Sequence, residues 1–146
     1  MPRATRSATI PAPPEEVWRT VGDPHHLPRW WPRVLRVESV EADRFTEVLS
    51  SGKGRSVRAD FRVEESRPPA VRRWAQEVEG TPFEGLLRSA ETEVRIEPAG
   101  RGASRVTVTV RQRLRGAGLL SAVIVRRATA RQLDEALAGL ARLHGG

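Results

Sequence analysis

Between Thr9 and Pro14 the chain passes from a polar, β-branched run into Pro11, Ala12, Pro13 and Pro14, and this change constrains the fold more than any other feature. Proline has no N–H to give a sheet ladder, so a first strand from about Ala4 to Ile10 must stop there. One step later the same residues favour a helix. Proline is welcome in a first helical turn and carboxylates favour its positive end, so Pro13, Pro14, Glu15 and Glu16 begin one. Val17, Trp18 and Val21 lie on one side of it, and Gly22 suits its end. Asp23 and Pro24 repeat the start signal with a capping carboxylate, and Leu27, Trp30 and Trp31 follow before Pro32 stops the chain again. The prediction is one strand followed at once by two short helices.

Past Pro32 the spacing is that of strands. Val34 to Val40 and Phe45 to Leu49 form the next two, joined by a turn at Glu41 to Arg44, with apolar residues in both phases so that their facing stays open. After Gly52 and Gly54, Val57, Ala59, Phe61 and Val63 alternate with Arg58, Asp60, Arg62 and Glu64, which gives one dry face and one wet face. Trp74 and Val78 share a phase with Gln76. Leu86, Ala90, Val94 and Ile96 share theirs with Arg88 and Thr92, and Val106, Val108, Val110 and Leu114 with Gln112. Short turns between successive strands imply an antiparallel meander. Helical spacing returns after Gly118. The first part of that helix, LLSAVIV, is apolar on all sides and is expected to be buried all round, and the second gathers Ala130, Leu133, Leu137, Leu140 and Ala141 on one face. Residues 1–146 read as one domain, with 1–3 loose.

The string IPAPPEEVW followed by GDPHHLPRWWP resembles the opening of the START-like, or SRPBCC, superfamily, in the branch labelled polyketide cyclase/dehydrase and lipid transport, and the similarity extends over nearly the whole chain. The resemblance implies an α+β helix-grip fold, also found in the birch-pollen allergen: a curved antiparallel sheet of six or seven strands around a long C-terminal helix, with a cavity between them. It also implies that the two short helices follow the first strand.

A domain of 146 residues can bury roughly 70% of its unfolded surface, enough for a core with a cavity in it. The absence of cysteine excludes disulfides, thiolate nucleophiles and cysteine-ligated zinc. No apolar run is long enough to cross a bilayer, so a cytoplasmic protein is expected. The net charge of +7 is carried almost wholly by arginine, Lys53 being the only lysine. These arginines are spread over every segment without the clustered stripe or interleaved aromatics of a nucleic-acid groove, which argues for a solvated surface and against a nucleic-acid partner.

If the sheet curls around the last helix, polar side chains in the inward phase are candidate ligand contacts. Gln76, Arg88, Thr92 and Gln112 meet that criterion. Arg88 is the sharpest, because a buried guanidinium cannot shed its charge and needs an anion or carbonyl; the alternative is a sheet-end position reaching water along its stem. The three uncharged residues serve either a ligand or neighbouring backbone and buried water. Trp18 reads as core. Trp30 and Trp31 diverge, one inward and one at the rim of the pocket, and Trp74, Phe61 and Phe83 make an apolar wall. His25 and His26 point about 100° apart on a helix with no third ligand near in sequence, so no metal site is expected. His144 suits a helix C-terminus. The serines lack a nucleophile elbow, SGKGRS lacks the spacing of a phosphate loop, and no cofactor is expected.

Three functions follow from the resemblance. The first is binding of a hydrophobic small molecule or lipid in the cavity. The second is polyketide aromatase/cyclase or dehydratase chemistry there, for which the chain offers no tyrosine and Arg88 is the best candidate for polarising an enolate. The third is a protein or ribosome interaction module. A homodimer is compatible with each.

Overall fold

The computed structural model describes residues 3–52, 54–116 and 118–146, leaving aside the side chains at 119 and 120. Strand β1 is Arg3–Ile10, and helix α1 is Pro14–Val21, which ends at Gly22. A 3₁₀ turn, Pro24–His26, runs into the single helical turn α2, Leu27–Trp30. The capping carboxylate works as the sequence predicts: Asp23 Oδ1 accepts from the His25 backbone N–H at 3.0 Å. Six more strands follow, β2 (Val34–Glu38), β3 (Arg44–Gly52), β4 (Arg55–Arg67), β5 (Val71–Glu77), β6 (Leu87–Pro98) and β7 (Ser104–Leu114), then helix α3, Leu119–Leu143.

All seven strands form one antiparallel sheet in the order β1-β7-β6-β5-β4-β3-β2. The meander runs from β2 to β7, and β1 returns to pair along β7. Arg3 already belongs to this ladder opposite Arg111, so it is not loose as expected, while residues 1 and 2 lie outside the described residues. Register shifts between Val34 and Arg36, Ser50 and Gly52, Val63 and Glu65, and Leu87 and Ser89 are the irregularities that let a long sheet bend.

Helix α3 lies against β1, β7 and α2. Its fully buried Leu133 and Leu140 join Val94, Val106 and Val108 of the sheet and Val17 of α1 in the core. Gly139 fixes how closely α3 meets α2, because an added Cβ there would stand 2.8 Å from the Trp30 carbonyl oxygen. Polar ties register the helix on the sheet: Arg6 pairs with Asp134 at 3.2 Å, and Thr129 Oγ1 donates to Gln112 Oε1 at 3.2 Å. The proline segment is anchored by the buried Ser104, whose hydroxyl donates to the Ala12 carbonyl at 2.7 Å.

The first part of α3 departs from expectation. Ile124 is 59% exposed, and Ala122, Val123 and Val125 are only half-buried. Side chains on more than one face of that end stay accessible, so its all-round apolarity does not produce all-round burial. No helix of the described residues is long and apolar enough to cross a membrane.

Candidate functional site

The strand registers assign the faces. On the concave side, Phe45, Glu47 and Leu49 of β3 meet Phe61, Ala59 and Val57 of β4, Val63 meets Trp74 of β5, and Trp74 meets Thr92 of β6. Ala90 is opposite Gln112 on the same face. This resolves β3, whose facing the sequence left open, and gives Phe45 and Glu47 inward positions that sequence reasoning missed.

An aromatic chain crosses this face. Trp30 and Trp31 meet edge to face with ring centres 5.3 Å apart, Trp31 meets Trp74 at 6.2 Å, Trp74 meets Phe45 at 6.2 Å, and Phe45 stacks on Phe61 at 5.3 Å. The two neighbouring tryptophans differ in burial, Trp30 being buried and Trp31 half-buried. Phe83, expected in the wall, stands outside this chain of rings, in the turn before β6 where Thr81 Oγ1 caps its N–H at 3.2 Å. Phe45 takes the place assigned to it, because only the tertiary pairing with Phe61 aligns the two rings.

Gln76, Gln112 and Thr92 occupy the inward face. Gln112 is engaged by Thr129, whereas Gln76 Nε2 and Trp30 Nε1 are buried without a hydrogen-bond partner among the described residues. A buried amide donor without an acceptor costs free energy, about 1–3 kcal/mol.

Arg88 does not join them. Leu87 pairs with Leu114 and Ser89 with Arg113, so Arg88 is the extra residue of a bulge, and it is exposed. The bulge breaks the alternation from which its inward position was inferred, and Leu86, in the same inferred phase, is 59% exposed while Leu87 is buried. The buried arginine is Arg72, 6% exposed beside Ser66, to whose hydroxyl it donates at 3.3 Å. Burial lowers its pKa and the Asp23 carboxylate opposes that shift. Asp23 also meets His25 Nδ1 at 3.0 Å and His26 Nε2 at 3.7 Å, so the two histidines converge on a carboxylate.

Glu47 is the second missed residue. It is 5% exposed, between Phe45 and Leu49 along its strand and between Val37 and Ala59 across the sheet, with no hydrogen-bonding or ionic partner among the described residues. Burial alone pushes its pKa up to about 8, which leaves the carboxyl neutral at pH 7. A glutamate between two apolar inward residues was the available signal, but it reads as surface unless the phase is known.

A cleft of about 840 Å³ opens where β5 and β6 part. Their ladder ends at Ala75 and Glu91, while β6 continues along β7 to Leu87. The cleft is lined from both sides of the sheet, by Arg62, Arg111 and Arg113 of the outer face and by Gln76, Ala90 and Gln112 of the inner one. Glu64 and Glu91 share its wall, and burial together with the neighbouring Glu64 raises the pKa of Glu91 against the pull of Arg73 and Arg111.

No curated protein sequence matches the chain. Among solved structures, one domain's worth of the di-domain ARO/CYC BexL from the BE-7585A biosynthetic pathway superposes with a TM-score of 0.80 at 24% identity, covering 97% of this chain and 46% of that one. The chain thus spans about half the length of that protein. A START superfamily protein from Mycobacterium smegmatis gives 0.79 at 12% identity over 97% and 96% of the two chains. A conserved protein from Geobacillus kaustophilus gives 0.78 at 18% over 96% and 93%. At these identities the likeness establishes the fold. The sequence model of one family matches residues 1–145, and the chain therefore belongs to the family described as polyketide cyclase / dehydrase and lipid transport.

Proposed function

We propose that this protein holds a hydrophobic small molecule or lipid between α3 and the β3–β5 half of its concave sheet. The observation that carries the reading is the state of Trp31, Leu49, Phe61 and Val63: all four pack against the core on its inward side, yet remain partly exposed. Apolar side chains directed inward and still accessible are what a hollow leaves behind. The aromatic chain supplies flat apolar area for the guest. Gln76, with its unpartnered amide, and Gln112 and Thr92 give it orientation. Arg88, exposed on its bulge, has no part in this. A lipophilic fluorescent dye should bind saturably, be displaced by an apolar competitor, and bind several-fold more weakly to Phe61→Ala; non-saturating binding indifferent to that substitution would overturn the reading.

Glu47 favours a second reading, acid chemistry on a ketone-bearing guest. A neutral carboxyl in an apolar wall can donate a hydrogen bond to a carbonyl oxygen or deliver a proton to it. Turnover of a poly-ketone mimic that is lost in Glu47→Gln would support it, and turnover that survives would remove it.

A further inference from the structure

We propose that the cleft at the β5–β6 parting receives the anionic head of a single-tailed amphiphile, a carboxylate or phosphate, whose apolar tail passes through the sheet into the hollow. This rests on the guest-binding reading and adds to it the charge of the guest and its point of entry.

Five guanidiniums and two carboxylates line the cleft. Arg62 and Arg111 are matched by Glu64 and Glu91, each at 3.6 Å. Arg3, Arg113 and Arg126 have no carboxylate in ion-pair range among the described residues. They converge from two strands and from α3 on one opening, a field that favours an anion and suits the fork geometry of carboxylate and phosphate oxygens. The throat supplies an independent observation: Gln76 Nε2 is buried, unpartnered, and part of the cleft wall, a donor without an acceptor. A free inorganic anion would satisfy the arginines but would make no use of the inner-face residues, Ala90 and Gln112, that line the same cleft. An apolar guest without a head would leave these three exposed arginines to water alone.

Titration calorimetry with dodecanoate, dodecyl phosphate, 1-dodecanol and inorganic phosphate, each at monomeric concentration, tests this. The two anionic amphiphiles should bind about tenfold or more tightly than dodecanol. That preference should collapse in the Arg3→Gln/Arg113→Gln/Arg126→Gln variant and shrink with added salt. Preference for one anionic probe over the other would identify the head as carboxylate or phosphate. Equal binding of dodecanol and dodecanoate, or an unchanged preference in the variant, would overturn the inference and leave the guest-binding reading standing. Inorganic phosphate binding as tightly as dodecyl phosphate would overturn the role given to the tail. Binding by none of the four would overturn both readings.

Discussion

On β6 and β7 the inward Val94, Val106 and Val108 are 0% exposed, whereas on β3 and β4 the inward Leu49, Phe61 and Val63 stay half-buried. On β4 the alternation of apolar and polar residues is the same as on β6 and β7. The difference lies in what lies over them: α3 and α1 close the first half, α3 being tied by Arg6 to Asp134 and by Thr129 to Gln112, while the second is left to its own rings. One sheet thus serves as both core and receptacle. Stability is concentrated where the helix touches, and partner-seeking groups such as Glu47 and Gln76 gather where it does not.

Five substitutions sharpen or break this contrast, from the largest effect to the smallest. Leu133→Ala empties a fully buried site in the closed half and should cost about 2–5 kcal/mol in urea unfolding. Phe61→Ala should cost well under the roughly 3–5 kcal/mol of a fully buried phenylalanine. Equal losses at the two sites would erase the distinction between the halves.

Glu47→Gln should stabilise the protein, by about 1–3 kcal/mol at pH 7.5. The folded carboxyl titrates near 8 against an ordinary value of 4.5, so between those values the folded state holds a proton that the unfolded chain has released. Stability therefore falls as pH rises through that window, by up to about 1.4 kcal/mol per unit from this group. Thermal melts from pH 5 to 8 should show the slope in the parent protein and a flatter profile in the variant. Parallel profiles would mean that Glu47 is not closed off.

Gly139→Ala would help an isolated helix by about 1 kcal/mol. Here the new methyl meets the Trp30 backbone, and the predicted outcome is a net loss of about 1–2 kcal/mol in the closed half. Arg6→Gln, which removes an ion pair between exposed side chains, should change stability by less than about 1 kcal/mol, and by less again in high salt.

Local chemistry was readable in the chain itself. Prolines that cannot donate ended β1, Asp23 capped the 3₁₀ turn, and alternating residues drew β4, β6 and β7 close to their observed limits, because each depends on neighbours within a few positions. What only the tertiary structure decided depends on partners far along the chain. Phase does not survive a bulge, so Arg88 is exposed and the buried arginine is Arg72. The facing of Phe45 and Glu47 is set by their register against β4, and their surroundings by a helix that begins some seventy residues later and covers only half of the sheet. Periodicity places a side chain on a face of the sheet; whether that face meets a helix, a hollow or water is settled when distant segments pack.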